Sequence, residues 1–173
     1  LVADTFACRP GLGQTAALVR GEMLVRRYDW YLKCDIRKYF YSISHDVVAA
    51  ILRRKFKDRR IVFWFLKILS TYEASPGRGL PIGNLTSQYL ANLYLDPLDR
   101  ARAAWGMPCG YARYMDDFVF WSDSKETLRA IQRRLPGFLR DTLRLELKCV
   151  PALNRTAMGM DFLGLRLTKG GIR

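Results

Sequence analysis

Histidine and paired cysteines are what this 173-residue chain most visibly lacks. His45 is the only histidine, so a His-based triad is excluded and any chemistry must use carboxylates, lysines or a bound metal. The four cysteines lie far apart and form no Cys-x-x-Cys pair; they are Cys8, Cys34, Cys109 and Cys149. This spacing argues against a zinc site and favours reduced thiols in a cytoplasmic protein.

Long apolar runs and acidic residues are also scarce. No run is long enough to span a bilayer, and no signal peptide is visible. Lys and Arg total 29 against 16 Asp and Glu, which gives a net charge of +13 and a pI of about 10.0. A domain this basic suits a polyanionic partner, most simply nucleic acid, with a generic basic surface as the alternative. A membrane surface is a poorer match because no basic amphipathic helix stands out.

Hydrophobic residues make up half of the chain, which is enough for one globular domain with a real core. The chain begins at Leu1 rather than Met and stops just after a strand-like run. We therefore interpret it as an excised fragment of a longer protein.

The order of the predicted elements indicates the fold class. The prediction places a loop at 1–21, a buried strand at 28–35, helices at 44–56 and from 58, a loop at 75–83, a helix at 85–102, a hairpin at 111–122, a helix from 123 that kinks or breaks at 136–137, and strands at 143–150 and 161–167. Strands and helices do not alternate regularly in this order. It therefore predicts an α+β fold, with an antiparallel sheet packed on helices.

Two adjacent carboxylates give the strongest chemical signal. Asp116 and Asp117 lie between two runs of β-forming residues, where the predicted hairpin turns. Adjacent carboxylates repel each other, and a bound cation offsets that repulsion. The pair therefore predicts a Mg²⁺ site. Asp35 ends the strand at 28–35, and pairing that strand with the hairpin would bring Asp35 next to Asp116. Such converging carboxylates suit two divalent ions in phosphoryl transfer, whereas Asp35 alone would be a strand-end turn residue.

Five segments of the chain together carry a family resemblance. In chain order they are residues 6–17, 32–40, 80–88, 114–117 (Tyr-Met-Asp-Asp) and 159–164 (Gly-Met-Asp-Phe-Leu-Gly). They resemble, in the same order, the fingers–palm block, motifs A, B and C, and the block before the thumb in reverse transcriptases of the group II intron and retroelement type. The resemblance covers nearly the whole chain and implies a right-hand polymerase palm with partial fingers.

The resemblance implies a catalytic centre with two Mg²⁺ ions, for which Mn²⁺ is an alternative. Asp35 and Asp116 would be the metal ligands, with the main-chain carbonyl of Ile36 assisting. Asp117 would shape the site and bind metal less directly. Lys148 would match the lysine that protonates pyrophosphate.

The resemblance also implies how the nucleotide is held. Lys38 and Tyr39 would offer main-chain N–H groups to the triphosphate. Phe40, five residues after Asp35, would be the aromatic steric gate that excludes a 2′-OH and so favours DNA synthesis. Without the motif, Phe40 would be an ordinary core aromatic residue.

The motif B segment departs from most of the family. Most members have Gln before the Gly and a later Ser-Pro pair, whereas this chain has Ile82 before Gly83 and then Ser87 and Gln88. We expect Ile82, Gly83 and Gln88 to face the nucleotide. The pattern resembles the enzymes of diversity-generating retroelements, which copy RNA with frequent errors at adenines. Ile82 cannot hydrogen-bond a base, so pairing would be checked less strictly; a neutral variant in an intron or orphan retroelement enzyme is the alternative.

The implied activity is RNA-directed DNA polymerisation. Its partners would be an RNA template, a DNA or RNA primer, dNTPs and an accessory protein of the retroelement, in a bacterial or phage-encoded cytoplasmic setting without a membrane. Residues 1–27 and 41–83 would form fingers-side elements and residues 28–40 and 84–173 the palm, with the thumb absent. The alternatives are an RNA-dependent RNA polymerase, which usually carries Gly-Asp-Asp, and a palm that binds nucleic acid without catalysis.

Overall fold

The computed structural model describes residues 2–107 and 109–173. The helices are α1 (Gln14–Arg27), α2 (Tyr39–Ser42), α3 (His45–Lys55), α4 (Arg59–Leu69), α5 (Leu85–Tyr94), α6 (Asp96–Ala104) and α7 (Lys125–Leu143). The strands are β1 (Trp30–Cys34), β2 (Gly110–Tyr114), β3 (Asp117–Ser122), β4 (Ala152–Arg155), β5 (Met160–Phe162), β6 (Leu165–Thr168) and β7 (Gly171–Ile172). Within these described ranges, no helix is long and apolar enough to cross a bilayer.

Two antiparallel sheets organise the fold, in the strand orders β2-β3-β1-β4 and β5-β6-β7. In the larger sheet, β1 pairs with β3, where Cys34 lies opposite Phe118, and with β4, where Lys33 lies opposite Ala152. The predicted α+β fold is confirmed. The confirmed elements are the strand at 28–35, the hairpin at 111–122, the helices at 44–56 and from 58, and the loop at 75–83.

The larger sheet is buried on both faces, which explains the unbroken apolar run of β3. Phe118 and Phe120 belong to one core cluster, shared with α5, α6 and α7. Val119 and Trp121 belong to a second cluster, shared with α1, β5 and β6. Successive strand residues face opposite sides of a sheet, so each cluster takes every second residue. Packing on both sides fixes the hairpin that carries Asp116.

The predicted loop at 1–21 is wrong from residue 14 onward, where α1 begins. Glycines suggested a loop, but Gly21 lies inside α1 because this helix packs closely on the smaller sheet. A Cβ on Gly21 would lie 2.8 Å from Cδ1 of Leu167. Burial of Leu24 and Val25 outweighs the cost of a helical glycine, which is about 1 kcal/mol.

Two prolines in predicted helices have opposite effects. The predicted helix at 85–102 is two helices, since Pro97 in the first turn of α6 has no N–H with which to continue α5. Of the predicted kink or break at 136–137, the break is wrong, because α7 continues through Pro136 to Leu143. Burial along one face of α7 outweighs a proline cost of about 3 kcal/mol. The buried residues of that face are Leu128, Ile131, Leu135, Leu139 and Leu143.

The strands near the end of the chain differ most from the prediction. The segment at 143–150 is irregular rather than a strand, and an isolated bridge between Ile36 and Leu147 joins it to the chain after β1. The edge strand is β4 instead, whose residues are mostly exposed and so lack apolar alternation. The predicted single strand at 161–167 is the hairpin β5–β6, which turns at Gly164 with a φ of 82°.

Candidate active site

Asp35 and Asp116 lie at the same edge of the larger sheet. Asp35 directly follows β1 and Asp116 directly precedes β3, and these two strands pair antiparallel. Burial raises the pKa of Asp116, and the nearby charge of Asp35 raises it further. The structure therefore brings these two carboxylates together, while their role as metal ligands stays a prediction.

A tight turn presents Asp116. Tyr114 pairs with Asp117, which leaves Met115 and Asp116 as the two turn residues. Met115 has a φ of 55°, in the left-handed region that costs a non-glycine residue about 1–2 kcal/mol. The guanidinium of Arg113 donates a hydrogen bond to the Met115 carbonyl at 3.0 Å and helps to hold this conformation.

Asp117 links the turn to the smaller sheet. Nζ of Lys33 lies 3.5 Å from Oδ2 of Asp117 and donates a hydrogen bond to the Asp161 carbonyl at 2.7 Å. Burial raises the pKa of Asp117, and the ammonium group of Lys33 opposes that shift. Within residues 2–107 and 109–173, Oδ1 of Asp117 is buried and has no hydrogen-bond partner. A buried oxygen of this kind suits a cation ligand.

Lys148 reaches Asp35 from the irregular segment after α7. Its Nζ lies 2.9 Å from Oδ2 of Asp35, and its main-chain N–H donates to the Asp35 carbonyl at 2.9 Å. The N–H of Arg37 donates to the Glu146 carbonyl, also at 2.9 Å, so two main-chain bonds hold the segment in place. The hydrogen bond to Asp35 and its negative charge raise the pKa of Lys148, which therefore keeps its proton.

The three residues predicted to hold the nucleotide begin at a sharp turn. Lys38 is exposed and left-handed, with a φ of 45°. Tyr39 is buried, and its hydroxyl donates to the Ala91 carbonyl at 2.5 Å. Phe40 is half-buried with its ring edge-on to Tyr39, and its carbonyl accepts a hydrogen bond from the N–H of Leu80 at 2.8 Å. Motif A is thereby joined to α5 and to the loop before it.

The motif B loop is open to solvent. Ile82 is 65% exposed. Gly83 has a φ of 89°, and a Cβ there would meet nothing within 4 Å. Asn84 caps α5 through its side chain. Gln88 is half-buried, with Oε1 3.9 Å from Sγ of Cys8, so its side chain contacts the N-terminal segment.

The donor set suits a hard cation such as Mg²⁺, which prefers oxygen ligands. In the part of the chain that the structure describes, no three His, Cys, Asp or Glu side chains gather into a metal-binding group. Mg²⁺ is usually held by one or two carboxylates, with waters and substrate phosphates completing its shell. Asp35 and Asp116 fit such an open site, and Asp117, with its unpartnered Oδ1, adjoins it on the side of the smaller sheet. Ile36, the predicted carbonyl ligand, follows Asp35 directly and is buried.

A buried polar network behind the turn is absent from the sequence-based prediction. The guanidinium of Arg113 is fully buried and donates two hydrogen bonds to Asp99, at 2.9 and 2.5 Å. Tyr111 donates to the same carboxylate at 2.9 Å, and Asn92 accepts from Arg113 at 2.8 Å. A lone arginine in an otherwise apolar strand is the signal that could have predicted it, because a buried cation requires a partner.

The fold recurs among solved structures. A telomerase from Candida albicans, in complex with a TWJ fragment of telomeric RNA, superposes with a TM-score of 0.73. The match covers 98% of this chain and 35% of that chain at 12% identity, so the likeness concerns the fold alone. The architecture of this chain is therefore the polymerase fold of the reverse-transcriptase type.

Sequence comparison identifies the family. The family described as "Reverse transcriptase (RNA-dependent DNA polymerase)" matches residues 6–167, and this chain belongs to it. A protein of COX1/OXI3 intron 2 from Saccharomyces cerevisiae is 26% identical over 99 residues, 53% of this chain and 12% of that protein. Protein YkfC from Escherichia coli is 25% identical over 182 residues, 81% of this chain and 47% of that protein. The chain thus spans less than half the length of these relatives.

Proposed function

We propose that this chain is the catalytic domain of an RNA-directed DNA polymerase, which adds dNTPs to a primer 3′-OH by two-metal phosphoryl transfer. The observation that carries the proposal is the meeting of Asp35 and Asp116 at one sheet edge, where burial and repulsion raise the pKa of Asp116. Divalent cations relieve such repulsion and serve phosphoryl transfer. Membership of the reverse transcriptase family supports the reaction class.

In this proposal the carboxylates divide their work. Asp35 and Asp116 bind two Mg²⁺ ions, the Ile36 carbonyl assists, and Asp117 shapes the site. When bound, the ions neutralise charge on the phosphates and favour ionisation of the primer 3′-OH. The raised pKa of Asp116 supports this assignment, because a carboxylate under repulsion gains most when a cation arrives.

Neighbouring residues hold the nucleotide and the leaving group. Main-chain N–H groups of Lys38 and Tyr39 bind the triphosphate. The ring of Phe40 lies under the sugar and excludes a 2′-OH, so dNTPs are favoured; its partial burial leaves ring surface available for this contact. Lys148, whose ammonium group lies beside Asp35, donates a proton to the departing pyrophosphate.

The partners in this proposal are an RNA template, a DNA or RNA primer and an accessory protein of a retroelement. The net charge of +13 supports polyanionic partners. Residues 28–40 and 84–173 form the palm and residues 1–27 and 41–83 the fingers side. We place the reaction in the cytoplasm of a bacterium or of a phage-infected cell, which the Escherichia coli relative supports.

Two types of retroelement enzyme fit this chemistry. The exposed Ile82 cannot hydrogen-bond a template base or a nucleotide, which supports the error-prone enzyme of a diversity-generating retroelement. A group II intron reverse transcriptase is the second candidate, because the fungal relative is named for an intron. Sequencing the cDNA separates them: errors concentrated opposite template adenines favour the first type, and an even, low error rate favours the second.

Primer extension on an RNA template tests the polymerase itself. We expect Mg²⁺-dependent addition of dNTPs by the wild type and a loss on the order of 10³-fold in Asp116→Asn. Circular dichroism serves as the fold control, since removing one repelling charge leaves the fold intact. Full activity in a folded Asp116→Asn protein, or binding of RNA without any extension by the wild type, would contradict the proposal.

A further inference from the structure

The turn that carries Asp116 rests on one buried side chain, Arg113. It lies in β2 and is 0% exposed, an unusual place for a cation. Its main chain is bound to the N-terminal segment, because its N–H donates to the Asp4 carbonyl at 2.9 Å and its carbonyl accepts from the N–H of Phe6 at 3.0 Å. These two hydrogen bonds fix the main chain of Arg113 independently of its side-chain contacts.

The guanidinium is fixed as well. Nε and Nη2 grip the two carboxylate oxygens of Asp99 in α6, a two-pronged geometry that only arginine can supply. Nη1 donates to Oδ1 of Asn92 at 2.8 Å, and Nη2 donates to the Asn92 carbonyl at 3.1 Å. The amide group of Asn92 donates in turn to the Ala7 carbonyl at 2.6 Å. Two helices and the N-terminal segment thus hold the plane of this cation.

One donor of the guanidinium points at the catalytic turn. Nη1 lies 3.0 Å from the carbonyl oxygen of Met115, the residue with the left-handed φ of 55°. That carbonyl shares a rigid peptide plane with the N–H of Asp116. Asp116 lies on the far side of that plane, directly after Met115 in the turn. A fixed Met115 carbonyl therefore restricts the main-chain conformation of Asp116 and, through it, the directions in which the carboxylate can point.

We propose that Arg113 is a positioning residue: its buried guanidinium, held by Asp99 and Asn92, sets the Met115–Asp116 peptide and thereby the Asp116 carboxylate that faces Asp35. The effect on catalysis rests on the polymerase function proposed above, whereas the effect on the turn does not. A buried ion pair is weak support for overall stability, because apolar residues of similar shape often replace it without loss. The hydrogen bond from Arg113 to the carbonyl of Met115, the residue with the left-handed φ, gives this ion pair a role in holding the turn that is separate from overall stability.

The chain offers a matched pair of variants. Arg113→Lys keeps the positive charge but loses the fork, so it cannot hold Asp99, Asn92 and the Met115 carbonyl together. Tyr111→Phe removes a hydrogen bond to the same Asp99 carboxylate and leaves the contact with Met115 untouched. Both changes disturb one buried network, and only the first releases the turn.

Kinetics and amide hydrogen exchange are measured on both variants. In Arg113→Lys we expect kcat for dNTP addition to fall about 10²-fold, while KM for dNTP changes less than about threefold. We expect the amides of residues 115–117 to exchange about tenfold faster. Tyr111→Phe should keep kcat within about threefold and exchange at the wild-type rate. Met115→Asn should partly rescue Arg113→Lys, since Asn accepts a left-handed φ.

Equal losses of kcat and equal exchange in the two variants would overturn the proposal, because they would indicate a general role in stability. So would wild-type kcat and exchange in folded Arg113→Lys. If Arg113→Lys does not fold, Asp99→Asn, which removes only the counter-charge, is judged by the same criteria. If the wild type extends no primer, the polymerase assignment fails and the exchange comparison still decides whether Arg113 holds the turn.

Discussion

The turn at Met115-Asp116 and the loop at Ile82-Gly83 both belong to the predicted site, but they are built in opposite ways. The turn joins two strands with apolar cores on both faces, and the buried guanidinium of Arg113 holds its carbonyl. The loop is solvent-exposed, and a Cβ at Gly83 would meet nothing within 4 Å. One region is fixed by many contacts and the other by few.

The difference matches the two tasks that we propose for these regions. Phosphoryl transfer requires carboxylates held to within about 0.5 Å, which only a packed and hydrogen-bonded scaffold provides. A loop that faces a changing base pair has to accept several shapes, and few contacts allow that. Changes around the turn should therefore reduce rate strongly, while changes in the loop should alter selection by smaller factors.

The largest effect should come from Asp35→Asn, on the fixed side of the comparison. It replaces a carboxylate of the proposed metal site by a neutral amide and removes the anionic partner of Lys148, so we expect primer extension to fall on the order of 10³-fold. Glu146→Gln is the control, because Glu146 is an exposed carboxylate in the same region whose ion pair with Arg37 spans 3.8 Å. Equal activity losses in the two variants would show that Asp35 has no special role.

Phe40→Ala tests a residue that connects the two regions. Phe40 follows Asp35 by five residues, and its carbonyl accepts a hydrogen bond from Leu80, which precedes the loop. Without the ring, a 2′-OH should fit, and the preference for dNTP over rNTP should fall by about 10²-fold. Tyr41→Ala, at a neighbouring exposed aromatic residue, is the control. Unchanged selectivity, measured as the ratio of kcat/KM values, would refute the gate role.

The predictable part of the site is its local part. Asp35 and Asp116 could be placed side by side because each closes or opens a strand with a clear β pattern, and a shared motif order supports their pairing. Gly83 and Ile82 could be assigned to a loop because glycine and proline mark it. Each strand end and the loop can be recognised from residues within a few positions, whereas the pairing of the two distant strands comes from the shared motif order and not from a local pattern.

The rest depends on partners distant in sequence. Arg113 finds Asn92, 21 residues away, and Asp99, 14 residues away, and no local pattern specifies that meeting. The edge strand β4 escapes prediction because its exposed residues do not alternate. Helix α7 passes through Pro136 because its leucines are buried on the sheet, a gain that local propensity does not include.

Stability against pH tests the charge repulsion at the turn. The folded state holds Asp116 with a raised pKa, so it favours the protonated form, and that contribution to stability is lost as pH rises through the folded pKa. Asparagine does not ionise, so Asp116→Asn removes this loss of stability at higher pH. In EDTA we expect this variant to melt at a higher temperature than the wild type at pH 7, with no difference below about pH 3.

The exposed Asp141→Asn protein, melted under the same conditions, is the control for this measurement. A gain for Asp116→Asn that persists unchanged at acidic pH would have another cause than ionisation of the carboxyl group.

Gly83→Ala moves the comparison to the open loop. Its φ of 89° strains any residue with a Cβ by about 1 kcal/mol, so the loop should shift and kcat/KM for dNTP should fall about fivefold. Gly106→Ala is matched in backbone strain, with a φ of 65° and open space around it, but it lies at the end of α6. A loss as large as that of Asp35→Asn would break the distinction between the two regions.

Ile82→Gln should have the smallest effect on rate and the most specific one on the product. The glutamine amide can hydrogen-bond a base or a nucleotide, and a mismatched base pair would make that hydrogen bond less well than a correct pair. Errors opposite template adenines should therefore fall about threefold, with little change in kcat. Leu85→Gln is the control. Leu85 is 63% exposed at the start of α5, and this substitution adds the same amide three residues further along the chain. The measurement is deep sequencing of cDNA made by the two variants and the wild type. An unchanged error spectrum in Ile82→Gln would mean that the open loop does not set accuracy and that its few contacts serve another purpose. A change shared by both variants would assign accuracy to the exposed surface of α5 as a whole rather than to the residue before Gly83.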